Sequence, residues 1–168
     1  DRRLGLTYMI STGNEGGITL SDCLEFLAED ERTRAIILIV EQVRDGERFR
    51  AAAGRALERG KPVIALKLGV SEAAARLALS HTGALVGSRE AWEAVASQSG
   101  FLLTEDLADL SDLAAWSLRT PPLKGNRVGV VTSSGGAAVQ IADQIERHGL
   151  TLPPLNRETA DRLARILP

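Results

Sequence analysis

Cys23 is the only cysteine among 168 residues, so the chain has no disulfide frame and no thiolate metal site of its own. Aromatic residues make up 4% of it and histidines number two, His81 and His148. The formal net charge of −2 leaves no basic footprint, which argues against a nucleic-acid partner. No apolar run approaches the roughly 18 residues of a membrane span. No basic-then-apolar leader opens the chain, so a cytoplasmic address and no membrane partner are expected. Neither a GxGxxG nor a GxxxxGK[ST] fingerprint occurs, and there is no GxSxG elbow; this disfavours ordinary nucleotide-binding and α/β-hydrolase readings.

What is present is ordinary for a globular protein: 44% hydrophobic and 25% charged residues, with length enough for one domain or one domain and part of another. The chain opens on Asp1 and ends on Leu167-Pro168, and it is expected to be a piece of a longer polypeptide.

Apolar strings alternate with helical patterns. Leu6–Ser11 reads as a strand, and Ser11–Gly17 as a loop by composition. Thr19 or Ser21 caps a helix that puts Leu20, Leu24 and Leu27 on one face. Ala35–Val40 is apolar without alternation, the pattern of a strand covered on both faces, and it ends on Glu41. Asp45-Gly46 leads into a helix over about Glu47–Glu58, closed by Gly60. Pro62–Lys67 is a further buried strand with proline at its first position. A helix capped by Ser88, a short strand at Phe101–Leu103 and a helix over Asp106–Leu118 follow, the last with Leu107, Leu110, Leu113 and Ala114 inward. Thr120–Asn126 is a linker by composition. The alternation then restarts with a strand at Val128–Thr132, the turn Ser133–Gly136, a helix over Ala137–Arg147, and a last helix capped by Asn156. Leu150–Leu155 carries two prolines and reads as an edge strand or a connection. Strand–helix alternation with short connections predicts an α/β fold with a mainly parallel sheet and helices on both faces.

In such a sheet, ligands bind beyond the carboxyl ends of the strands. The Ser11–Glu15 loop, Glu41 and the loop carrying His81 all gather at that edge. A neutral imidazole is a competent nucleophile toward phosphorus, and its pKa of about 6.5 leaves it mostly neutral at pH 7. A carboxylate on the other ring nitrogen sets its tautomer, and Glu41 is placed to serve. A transferred phosphate needs backbone N–H groups and a helix N-terminus, which Ser133, Ser134, Gly135 and Gly136 offer, with Gly83 and Ala84 supplying further donors. Each residue also has a purely structural reading. His81 fits an exposed loop histidine, Glu41 a solvated rim residue, and Ser133–Gly136 a capped turn. His148 reads as a helix cap, Trp92 and Trp116 as packing anchors, and Glu105, Asp106, Asp109 and Asp112 as a solvated face rather than metal ligands.

The string Ser80-His81-Thr82-Gly83-Ala84-Leu85, with Gly87, resembles the phosphohistidine loop of NDP-forming acyl-CoA synthetases, the relatives of succinyl-CoA synthetase. Other strings fall in the matching order. Ser11-Thr12-Gly13-Asn14 resembles the family's Ser-x-Gly-Asn turn. Asp30–Thr33, Glu41 with Asp45-Gly46, Lys61-Pro62-Val63, Lys67-x-Gly69 and Thr132-x-x-Gly135-Gly136 also match, so the likeness spans nearly the whole chain. The resemblance implies a flavodoxin-like, three-layer α/β/α ligase domain at 1–119, a linker at 120–126, and the opening βα units of a second such domain at 127–168. It implies that the first strand and helix of the first domain precede residue 1; the sheet edge so left unpaired is expected to receive the 128–147 unit, from within the chain or from a neighbour.

The implied reaction converts a carboxylic acid, CoA and ATP to acyl-CoA, ADP and phosphate through an acyl phosphate and a phosphohistidine at His81. Glu41 matches the glutamate that pairs with the histidine, Ser133–Gly136 matches the helix start that receives the phosphohistidine, and Ser11, Gly13 and Asn14 are substrate-loop candidates. The parent enzyme is expected to use ATP, Mg²⁺ and CoA through CoA-binding and ATP-grasp domains or subunits; the chain by itself is expected to bind no cofactor or metal and to lack synthetase activity. A homodimer is left open. The family reads Asn-Ala-Gly-Gly-Pro-Gly where this chain has Ser133–Ala138, which keeps both glycines and changes the side chains around them. A reading from another class is a non-catalytic ligand-sensing or scaffold module of the same fold. A third, a nucleotide-binding α/β domain, lacks its fingerprint.

Overall fold

Ile36–Val40 (β1), Val63–Lys67 (β2) and Leu102–Thr104 (β3) form a parallel sheet in the order β1-β2-β3. The computed structural model describes residues 4–71, 73, 74, 76, 88–120 and 123–166. The register pairs Ile36 with Val63 and Val40 with Lys67, then Ile64 with Leu102 and Leu66 with Thr104. All three carboxyl ends therefore lie along one edge of the sheet. The chain divides into two compact units, Asp1–Pro121 and Pro122–Pro168.

Helices cover the sheet in two layers. Leu20–Glu29 (α1), Gly46–Glu58 (α2) and Arg89–Ser99 (α3) lie on one face, where Leu24, Ala28, Phe49, Ala52 and Ala96 close over Ile36, Leu38, Val40, Val63 and Ala65. Runs of alanine on α2 let that helix approach closely. Leu107–Arg119 (α4) covers the other face, with Leu110 and Ala114 against Ile64 and Leu66. The α/β/α arrangement read from the alternation is the one observed.

Local chemistry sets the ends of these elements. Thr19, not Ser21, caps α1 in a reciprocal box: the Asp22 N–H donates to the Thr19 hydroxyl at 3.2 Å and the Thr19 N–H to the Asp22 carboxylate at 2.8 Å. Asp45, Ser88 and Asp106 cap α2, α3 and α4. Gly100 ends α3 at φ +74°, and a Cβ there would meet Leu57 Cδ1 at 3.2 Å, so glycine suits both the backbone and the space. Lys61 is buried and donates to the Leu27, Ala28 and Asp30 carbonyls at 3.0, 2.6 and 2.7 Å, closing the C-terminal end of α1.

Several expectations are corrected. Leu6–Ser11 forms no strand, because among the described residues nothing pairs with it or with the outer edge of β1. It is held instead by Tyr8, which packs edge-on against Phe26 at 5.4 Å and donates to Asp30 at 3.3 Å. β1 is not covered on both faces. Ile37 and Ile39 stay 44% and 55% exposed, since α4 lies over β2 and leaves the same face of β1 open. Leu107 lies at the first turn of α4, outside its packed stripe, and is exposed. Trp116 is 50% exposed and stacks on no aromatic ring among the described residues, whereas Trp92 packs edge-on against Phe49 and Phe101.

In the second unit, Gly135–Arg147 (α5) and Arg157–Leu163 (α6) are capped by Ser134 and Asn156. The expected strand at Val128–Thr132 does not form; next to it stands an isolated parallel bridge between Arg127 and Thr151, and a two-stranded ribbon with no further strand is only marginally stable. His148 sits at the C-cap of α5, as its sequence position suggested. An open apolar groove of about 340 Å³ lies beside it, lined by Ile141, Gln144, Ile145 and Leu150.

Candidate functional site

The loop Ser11–Glu15 folds on itself through its own chemistry. Gly13 at φ +57° and Glu15 at φ +54° turn the chain, and the Glu15 N–H donates to the Thr12 carbonyl at 3.2 Å. Oε1 of Glu15 accepts from the Leu20 N–H at 3.0 Å and the Thr12 hydroxyl at 3.3 Å, so one carboxylate ties the loop to the start of α1. Its other oxygen is buried without a hydrogen bond and lies 3.8 Å from Nε of Arg44.

Arg44 joins this loop to the one after β1. Its guanidinium donates to the Asn14 carbonyl at 2.8 Å while its ion pair reaches Glu15. Ser21 adds a weaker tie, its hydroxyl 3.5 Å from the Asp45 carbonyl. Ser11, Gly13, Asn14 and Glu41 are all exposed and stand on two loops of the first unit that Arg44 joins; the third member of the expected convergence, the His81 loop, lies outside the described residues. Arg44 was not singled out from the sequence. An arginine between a strand end and a helix cap gives no sign of which carbonyl its long side chain will find.

Lys67 is the second residue that pattern reading left without a role. It ends β2 on the face shared with Val63 and Ala65, under α1, α2 and α3, and is 7% exposed. Its ammonium donates to the Glu41 carbonyl at 2.7 Å and to the Leu68 carbonyl, and lies 5.7 Å from the centroid of Trp92. Burial pushes its pKa down from 10.5 to about 8, partly opposed by the Glu41 charge, so it is mostly protonated at pH 7. The signal was available: Val63, Ala65 and Lys67 share one face of a strand, and a lysine continuing an apolar face must find oxygen acceptors.

His81, Gly83 and Ala84 lie outside the described residues. Ser133, Ser134, Gly135 and Gly136 belong to the second unit and are exposed. There the Thr132 hydroxyl accepts from the Ser134 N–H at 3.1 Å and the Ser134 hydroxyl from the Ala137 N–H at 3.3 Å. Nothing lies within 4 Å of a Cβ built on Gly135 or Gly136, so the N-terminus of α5 is approachable from outside. The acidic residues near α4 have structural duties. Asp106 caps the helix, Glu105 pairs with Arg89, and Asp109 lies 3.4 Å from the Thr104 hydroxyl. Among the described residues, no three His, Cys, Asp or Glu side chains gather as a metal site. Nor, among them, is any helix long and apolar enough to cross a membrane.

A parallel sheet between two helical layers defines a flavodoxin-like α/β/α domain. Residues 1–116 match the family model described as the succinyl-CoA ligase like flavodoxin domain, and the chain belongs to that family, among the NDP-forming acyl-CoA synthetases. It is 39% identical to the alpha subunit of acetate–CoA ligase [ADP-forming] II of Pyrococcus furiosus over 98% of this chain and 36% of that one. It is 35% identical to a trans-feruloyl-CoA synthase from an unknown prokaryotic organism, over 99% of this chain and 24% of that one. The fold superposes on the dinucleotide forming acetyl-coenzyme A synthetase 1 of Ca. Korarchaeum cryptofilum, solved with phosphate and ADP, at a TM-score of 0.84 and 32% identity. That match covers 95% of this chain and 34% of the other. The chain thus spans about a quarter to a third of the length of these relatives.

Proposed function

We propose that this chain is the phosphohistidine-bearing part of an ADP-forming acid–CoA ligase. The observation that carries the reading is its alignment, over 98% of its length, with a subunit of an ADP-forming acetate–CoA ligase. The adjoining Ser11–Asn14 and Glu41 loops at the ligand-binding edge of the sheet support it.

In the direction of acyl-CoA synthesis, a ring nitrogen of His81 attacks the γ-phosphorus of ATP, and the bond to the ADP oxygen breaks. The carboxylate oxygen of the acid then attacks the phosphohistidine phosphorus, giving acyl phosphate and free imidazole. The CoA thiol, losing its proton, attacks the acyl carbon and phosphate leaves. Glu41 accepts the N–H on the other ring nitrogen, holds the tautomer that presents a lone pair, and balances the charge gained on phosphorylation. The open N-terminus of α5, with Ser133, Ser134, Gly135 and Gly136, offers N–H donors to the phosphoryl oxygens, joined by the Gly83 and Ala84 N–H groups. Ser11, Gly13 and Asn14 border the place of the acid. Nucleotide, Mg²⁺ and CoA are assigned to CoA-binding and ATP-grasp portions of the whole enzyme, since this chain spans only about a third of the length of its ADP-forming relative.

The test is product analysis of the whole enzyme with ATP, Mg²⁺, CoA and a panel of aliphatic and aromatic acids. Acyl-CoA with equimolar ADP and phosphate is expected. Acyl-CoA with AMP and pyrophosphate would overturn the reading, and no acyl-CoA with any acid would favour a scaffold role.

A further inference from the structure

Two buried lysines bracket β2, and only one is explained by the fold. Lys61, at the amino end, closes α1 by donating to three carbonyls of its last turn and exit. Lys67, at the carboxyl end, donates to no carbonyl of a helix end among the described residues. It donates to the carbonyl of Glu41, the residue directly after β1, and to that of Leu68, directly after β2. The ladder already joins these strand ends, since the Leu68 N–H donates to the Val40 carbonyl at 2.8 Å. Lys67 therefore adds a constraint beyond the ladder, and it does so at Glu41. A methionine would fill the same site without desolvating an ammonium.

We propose that Lys67 is a positioning residue for the ligase reaction: seated on the main-chain carbonyls of Glu41 and Leu68, it fixes the direction in which Glu41 presents its carboxylate. The inference rests on the reading of Glu41 as the partner of His81. The clamp engages the backbone of Glu41 and leaves its side chain exposed at the sheet edge. It is itself held from below. The Trp92 ring under the ammonium packs edge-on against Phe49 and Phe101, both buried. The aromatic core of the unit thereby sets the height of the ammonium, and the ammonium sets Glu41.

The test compares wild type, Lys67→Met and Lys67→Arg in the whole enzyme. Pre-steady-state incorporation of label from γ-labelled ATP is measured across ATP concentrations, with melting temperature followed alongside. Lys67→Met is expected to stay folded, to keep the wild-type half-saturating ATP concentration, and to lose at least about tenfold in the labelling rate. Lys67→Arg is expected to recover part of that rate. Should Lys67→Met not fold, Lys67→Leu, which likewise has no donor for the Glu41 carbonyl, takes its place under the same criteria. Labelling of Lys67→Met at the wild-type rate would overturn the inference while leaving the phosphohistidine reading intact. So would losses in both variants that follow the fraction unfolded. Absence of histidine-bound label in wild type would overturn the reading and this inference with it.

Discussion

The Arg44 guanidinium donates to the Asn14 carbonyl at 2.8 Å, and so fastens the loop after β1 to the Ser11–Glu15 loop, to which sheet hydrogen bonds give no support. Glu15 is nearly buried and one of its oxygens has no hydrogen bond, so the half-exposed Arg44 guanidinium is the cation that offsets its charge. Arg44→Ala is expected to destabilise by about 1–3 kcal/mol through that uncompensated oxygen and to accelerate amide exchange at Glu15 and Leu20. Unchanged exchange at both amides would show that the turn holds itself.

The capping box of α1 titrates. The Thr19 hydroxyl and N–H, aided by Arg48, hold the Asp22 carboxyl at about 2, against an ordinary 3.8. A carboxylate lowered in the folded state stabilises fully above the unfolded value, and that contribution is lost as pH falls from about 4 to about 2. Asp22→Asn is therefore expected to flatten the acid limb of the stability curve in that interval. Thr19→Ala should cost about 1 kcal/mol at neutral pH. Urea titrations at stepped pH check both.

Lys67 gives the opposite edge of the pH profile. Its folded pKa of about 8 lies below the ordinary 10.5, so between these values the unfolded chain binds more protons than the folded one. Stability should then rise with pH from about 8 to about 10.5, as far as this group is concerned. Lys67→Met should abolish that rise and be at least as stable as wild type at pH 7. A variant that retains the alkaline rise would assign it to another group.

Phe49 is 1% exposed and meets both Trp92 and Phe101 at 5.7 Å between ring centroids. Phe49→Ala should cost about 3–5 kcal/mol through lost burial and the cavity left behind. Chemical denaturation measures it, and a cost below about 1 kcal/mol would mean that the aromatic cluster can collapse on itself.

The sequence exposed some of this directly. β2 reads as a strand buried on both faces and is one; β1 carries the same apolar pattern yet alternates, because α4 covers only part of their shared face. Composition reports what a residue tolerates, not which neighbour arrives. For the same reason Leu6–Ser11 and Val128–Thr132 have strand-like residues without ladders. Helix starts at Asp45, Ser88, Asp106 and Asn156 were legible, since a cap acts within three residues of itself. The loops of the candidate site were legible as loops. The contacts of Arg44 with Asn14 and of Lys67 with Glu41 were not, because each spans more than twenty residues of chain and depends on packing elsewhere.

A phosphoryl relay through His81 requires a phosphorylated histidine in the whole enzyme. The whole enzyme is exposed to γ-labelled ATP with Mg²⁺, and the protein-bound label is examined for acid lability in wild type and His81→Ala. Acid-labile, alkali-stable label in wild type, absent from the folded variant, is the predicted result. Label that persists in His81→Ala, or none in a folded wild type shown to bind ATP, would contradict the relay.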